Sequence, residues 1–226
     1  MEERSDVLRE LELGNSENIG KISRYSEPVN DYVKFLNSIS DRSKGLTEID
    51  IYKKLDTELK EILGGEVIID LEGNIMFRMN EKKIIDIGMV SSTVKTLTGF
   101  YLYLKYFAME RDIIFIDEIE LNLHPENQRK IMKLINYLSK QGIKFIISTH
   151  SPIITEEIDN MLLFEKVKYK IKSEEMKECG INSEYGLKTS DINVFHLHNK
   201  TVEKIKEKNG EFEIETFNTV LEETDN

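Results

Sequence analysis

Four apolar residues in a row, Ile113-Ile114-Phe115-Ile116, run straight into two carboxylates, Asp117-Glu118. A short continuous apolar run predicts a strand buried on both faces, as in parallel sheets, and places it over 112–117. Phe145-Ile146-Ile147 repeats the pattern and predicts a second such strand over 143–148. Between them, a helix is predicted over 125–140, opened by Pro125 at a tolerated first-turn position and ended by Gly142. Strand, helix and strand in close succession imply a right-handed crossover that lays the strands parallel. Upstream, Ile51, Leu55, Leu59 and Ile62 fall at helical spacing, so 47–63 reads as a helix with Thr47 and Asp50 as start signals and Gly64-Gly65 as the stop. A further helical stretch covers 28–39. Segments 66–71 and 74–79 flank Glu72-Gly73 with strand-like residues, giving a hairpin that continues through 83–87. The stretch 93–108, rich in Leu, Tyr and Phe, reads as a helix, and Ser151-Pro152 opens another ahead of Met161–Phe164. Beyond it, Lys alternates with apolar residues from Lys166 to Lys172, the pattern of a strand with a solvated face. The tail adds a strand near 191–197 and two more around the turn Asn209-Gly210.

The 226 residues, 39% of them hydrophobic, suffice for one substantial core. Neither a signal peptide nor an apolar spanning run is visible, which leads to the expectation of a cytoplasmic chain with no membrane partner. A single cysteine, Cys179, excludes an internal disulfide and a cysteine-based zinc cluster. The net charge of −11 argues against a surface that embraces nucleic acid broadly, because such binding rests on neutralising phosphates with Lys and Arg, so any nucleic-acid role is indirect. His196 and His198 are spaced to share one strand face. They lack an acidic or cysteine partner at ligand spacing and read as structural.

The acid pair carries the chemistry. Buried ionised carboxylates are costly unless a metal or hydrogen bonds compensate, so an Asp-Glu pair ending an apolar strand asks for a cation, with Asp117 on the metal side and Glu118 as a base. The pair also sits within an ordered set of motifs. Ser91-Ser92-Thr93-Val94-Lys95 precedes it, Glu120, Leu121-Asn122-Leu123-His124-Pro125 and Gln128 follow it, and Ser148-Thr149-His150 ends the second strand. From about 85 to 164 this order resembles the C-terminal lobe of an ABC/SMC-type ATPase head, and more narrowly the bacterial AAA-family ATPases attached to genome-defence and DNA-repair proteins. In that resemblance the first segment is the signature, Asp117-Glu118 the Walker B pair, the Leu-His-Pro region the D-loop, and His150 the switch histidine. Glu3-Arg4-Ser5 is similar to a stretch these ATPases carry upstream of their signature, which would place the start of the chain mid-domain.

The resemblance implies an α/β fold of the P-loop NTPase, ABC-ATPase-like type, a parallel sheet with flanking helices and an antiparallel hairpin before the signature helix, lacking the N-terminal P-loop lobe. It implies ATP and Mg²⁺ as ligands. It also implies a homodimer or heterodimer of heads in which Ser91, Ser92 and Lys95 face the partner's nucleotide, Glu118 polarises water, His150 senses the terminal phosphate, and Asn122 and His124 communicate between the sites. Two departures stand out. No window meets Gly-x-x-x-x-Gly-Lys-Ser/Thr; the nearest, Gly14 to Ser23, has one residue too many between its glycines and Ile22 where a hydroxyl belongs. Thr93 stands where the family has Gly, and a β-branched residue cannot take a positive φ.

The expected organisation is a polar segment over 1–26, the ATPase lobe over 27–165 and a strand-rich extension of the same domain over 166–226. Two functional readings follow: an ATPase whose P-loop lobe is supplied in cis or in trans, active only when so completed, and a non-hydrolysing interaction or dimerisation module that keeps the shape. Direct DNA binding ranks third, given the acidity.

Overall fold

The computed structural model describes residues 31, 34–35, 38–39, 50–70, 73–80, 83–178, 181, 184–198, 200–208 and 211–212. The chain forms two compact units, Met1–Leu46 and Thr47–Asn226. In the first, the described positions 31 to 39 are helical, as predicted for 28–39, and Ile39 is fully buried. Gly14 to Ser23, Glu3-Arg4-Ser5, Cys179 and the turn Asn209-Gly210 lie outside the described residues.

The second unit opens with α1 (Asp50–Leu63), which buries Leu59 and Ile62. Gly64, at φ +69°, ends it in the left-handed region that favours glycine. Gly65 is required for a different reason: a Cβ there would meet the Arg78 carbonyl at 2.5 Å and the Phe77 ring at 2.7 Å. That close approach seats α1 on an antiparallel meander of β1 (Glu66–Ile69), β2 (Ile75–Asn80) and β3 (Lys83–Asp86), in which Val67 pairs with Phe77 and Phe77 with Ile85. The predicted hairpin is thus a three-stranded sheet. A short 3-10 turn leads into α2 (Ser92–Tyr106), whose Tyr101, Leu102 and Leu104 have no exposed surface.

The central layer consists of β4 (Ile113–Ile116), α3 (Pro125–Lys140), β5 (Lys144–Ile147) and α4 (Pro152–Val167). β4 and β5 are parallel, Ile113 opposite Lys144 and Ile116 opposite Ile147. α3 presents Ile131, Leu134, Ile135 and Leu138 on one buried face and packs against α1, α4 and β5. Arg129 of α3 reaches α4, pairing with Glu157 at 3.1 Å and Glu156 at 2.8 Å. Glu157 is only 3% exposed and accepts a second bond from the Tyr185 hydroxyl at 2.8 Å. That bond fastens the segment after α5 (Ser173–Glu178) onto the helical layer.

Two expectations require correction. Among the described residues, the parallel strands are covered on one face only: Ile113, Phe115 and Ile146 are 56%, 72% and 55% exposed, while Ile114, Ile116, Phe145 and Ile147 are partly covered. The run from Lys166 to Lys172 is not a strand. Buried Met161, Leu162 and Phe164 carry α4 as far as Val167, the Lys168 amide closes it on the Phe164 carbonyl, and a 3-10 turn follows. In the tail, β6 (Val194–His198) pairs antiparallel with β7 (Thr201–Ile205), while the strands flanking 209–210, β8 (Glu207–Lys208) and β9 (Glu211–Phe212), are two residues each. The tail strands pair with one another rather than with β4 and β5, and β9 docks on α4 through the Phe212 amide, which donates to Asp159 at 3.0 Å.

Candidate nucleotide site

The two parallel strands end side by side, and the residues that follow them are stitched together by side chains. The Ser148 hydroxyl donates to Oδ1 of Asp117 and accepts from the Glu118 amide at 2.9 Å. The Ser148 amide donates to the Ile116 carbonyl at 3.0 Å, extending the parallel ladder by one residue. Glu118 has φ +47°, the left-handed region, which costs a non-glycine residue about 1 kcal/mol. The Ser148 hydroxyl and a turn closed by the Leu121 amide on the Glu118 carbonyl, at 2.8 Å, hold it there.

Both acids are exposed, contrary to the sequence expectation of buried carboxylates. Desolvation therefore does not demand a cation here. The donor chemistry still suits one. Asp117 offers a hard carboxylate oxygen beside the Ser148 hydroxyl, and the described residues contain no cluster of three or more acidic, histidine or cysteine groups that would cage a metal alone. That set fits Mg²⁺, which keeps several waters and is bound through one or two carboxylates plus substrate phosphates.

Glu120 forms a second stitch. Its carboxylate accepts from the Thr149 hydroxyl at 2.7 Å and from the His150 amide at 2.6 Å, while the His150 residue is exposed. A third runs from Ser151, the N-cap of α4, whose hydroxyl donates to Gln128 at 2.6 Å; the Gln128 amide in turn donates to the Leu123 carbonyl at 3.0 Å. Sequence reasoning named Glu120, Ser148 and Gln128 only as parts of motifs and gave them no task. Their partners lie 23 to 31 residues away, apart from the Gln128 bond to Leu123, so no local pattern could have revealed them.

The remaining candidates form a neighbouring group at the N-terminus of α2. Ser91 is the N-cap, accepting from the Val94 amide at 3.4 Å, and Ser92 and Lys95 are exposed on the first turn. Thr93 is helical, so the positive φ that its β-branch would forbid is not required. Its hydroxyl donates to the Asn122 carbonyl at 2.5 Å. Asn122 adopts φ +60° and returns a bond from its side-chain amide to Thr96 at 3.1 Å. His124 caps α3, its Nδ1 accepting from the Glu126 amide at 3.4 Å. Asp117, Glu118 and His150 thus belong to one stitched cluster, Asn122 joins that cluster's turn to α2, and His124 sits at the next helix start.

A cleft of about 500 Å³ runs from α2 along β4 to the acid pair, lined by Thr96, Phe100, Tyr103, Phe115, Asp117 and Glu118 among others. Tyr103 anchors its floor by donating to Asp112 at 2.5 Å; burial, then that bond and the carboxylate charge push its hydroxyl pKa well up, so it stays protonated.

Two solved structures resemble the fold. An SMC ATPase, described for its ATP-driven dimerization and DNA-stimulated activation, is 14% identical with a TM-score of 0.45, over 87% of this chain and 97% of that one. An SMC head bound to the C-winged helix domain of ScpA is 19% identical with a TM-score of 0.36, over 59% of this chain and 40% of that one. The family comparison reaches further into the sequence. Residues 9–156, the block that contains the acid pair, the Leu-His-Pro turn and the switch strand, match the family described as "AAA domain, putative AbiEii toxin, Type IV TA system"; the chain belongs to this AAA-domain family and has its α/β, P-loop NTPase-like ATPase fold.

Proposed function

We propose that this chain supplies the signature, Walker B and switch-histidine elements of a composite ATPase site, and hydrolyses ATP only when a P-loop-bearing segment completes it. The observation that carries this reading is the stitched cluster at the ends of two adjacent parallel strands, where open α/β sheets bind ligands. Asp117, oriented by Ser148, would hold Mg²⁺, which when bound would neutralise phosphate charge. Glu118 accepts a proton from the attacking water at its carboxylate. His150 hydrogen-bonds the terminal phosphate. Ser91 and Ser92 offer hydroxyls and the positive end of the α2 dipole to the nucleotide of a second head, with Lys95 adding charge one turn along. Asn122 and His124 lie between the two sets. The assembly is a dimer of heads, cytoplasmic, with nucleic acid engaged only through other domains.

A second reading, a non-hydrolysing docking module, draws on the open sheet face of Ile113, Phe115 and Ile146, since parallel sheets are normally covered on both sides. Calorimetric titration of ATP with Mg²⁺ separates the two. The ATPase reading expects no tight binding by the chain alone, and binding plus turnover when a P-loop polypeptide encoded beside it is added. Absence of binding in both leaves the docking module.

A further inference from the structure

We propose that Thr93 is a positioning residue, its hydroxyl bracing the turn that carries Glu118 against the first turn of α2. The contact joins residues 29 apart in sequence. It is also doubled: Thr93 holds the backbone carbonyl of Asn122 at 2.5 Å while Thr96, three residues further along the same helix face, accepts from the Asn122 side-chain amide at 3.1 Å. One residue is therefore gripped at both ends by two hydroxyls of one helix. Asn is among the few residues that tolerate the left-handed φ of +60° found there.

From Asn122 the restraint passes back through two overlapping turns, Leu123 amide to Glu120 carbonyl at 2.9 Å and Leu121 amide to Glu118 carbonyl at 2.8 Å. Glu118 itself stands at φ +47°. Two left-handed residues four apart leave this segment with little intrinsic preference for its shape, so it keeps that shape only where outside bonds impose it. Ser148, bonded to the Glu118 amide, and Thr149 and His150, bonded to the Glu120 carboxylate, supply them on the β5 side; Thr93 and Thr96 supply them on the α2 side. The helix start bearing Ser91 and Ser92 and the turn bearing Glu118 thereby move as one body. Given the ATPase reading above, on which this consequence rests, a phosphate contacted at the helix start is coupled to the orientation of the general base.

The test compares Thr93→Val, which keeps the shape and removes the hydroxyl, with Thr93→Ser, which keeps the hydroxyl. Amide hydrogen exchange by NMR on the intact chain reads the brace directly. Thr93→Val is expected to speed exchange at Leu121 and Leu123 about fivefold to tenfold, Thr93→Ser to restore the wild-type rates, and the Ser148 amide to stay unchanged in both. Unchanged rates at Leu121 and Leu123 in Thr93→Val overturn the brace, and so does a uniform acceleration that includes Ser148. In the ATPase completed by its P-loop polypeptide, Thr93→Val is expected to lower kcat about fivefold or more with the KM for ATP within about twofold. A wild-type kcat in Thr93→Val overturns the positioning role. If the wild-type mixture turns over no ATP, the functional reading fails and the exchange rates alone decide the brace.

Discussion

The acid tip and the C-terminal hairpin are both built from strand ends and turns, yet they are held by opposite means. At the tip, Asp117, Glu118 and Glu120 are fixed by bonds to residues about 30 positions away, made by hydroxyls and carboxylates. In the hairpin, β6 and β7 pair with each other across a tight turn at Lys200, φ +62°, and Phe195, Leu197 and Val202 stand exposed on one face. Non-local bonds restrict where side chains point; a local ladder restricts only the backbone. Long-range polar bonds gathered at one strand end mark it as a region where orientation matters.

The sharpest way to break that comparison is at the chemistry. Glu118→Gln keeps size and hydrogen-bonding capacity and removes the base, so turnover by the completed ATPase should fall by about 10² or more, with ATP binding retained, as a steady-state assay beside calorimetry would read. Next in size is Glu157→Ala, which takes the acceptor from the Tyr185 hydroxyl and leaves Arg129 with Glu156 alone. A loss of about 2 kcal/mol in urea unfolding is expected, most of it from the Tyr185 hydroxyl, because Arg129 is 37% exposed and keeps Glu156. Ser148→Ala removes the donor to Asp117 and the acceptor for the Glu118 amide together; about 1–2 kcal/mol of stability should go, and kcat should fall more than KM changes. Leu197→Ser in the hairpin should change unfolding by no more than about 0.5 kcal/mol, because its side chain buries little. A large loss there would show that the exposed face is covered in solution and erase the contrast.

How far the sequence could be read follows the same division. Helix α3 was predicted over the residues it occupies, because Pro125 at its start and Gly142 past its end are local signals that agree. The parallel pair followed from two apolar runs separated by one helix. Lys166 to Lys172 misled because seven residues of alternating Lys and apolar side chains fit a helix end as well as a strand, and buried Phe164 decided between them. Exposure of Phe115 was invisible, since an apolar run records composition and not which neighbours lie over it. At the site, Asp117, Glu118 and His150 were identifiable by residue type and order. The work of Ser148, Glu120 and Thr93 was not, because it exists only once the parallel register brings β5 beside β4 and α2 beside the turn.

The left-handed backbone of Glu118 bears on whether the acid pair is a remnant. At φ +47° a glycine would sit without strain, its gain offset by the freer unfolded chain, and asparagine with little, so Glu118→Asn would make the folded chain more stable by up to about 1 kcal/mol. Carrying a carboxylate there is a trade of stability for placement, the trade that the proposed role of Glu118 as general base would call for.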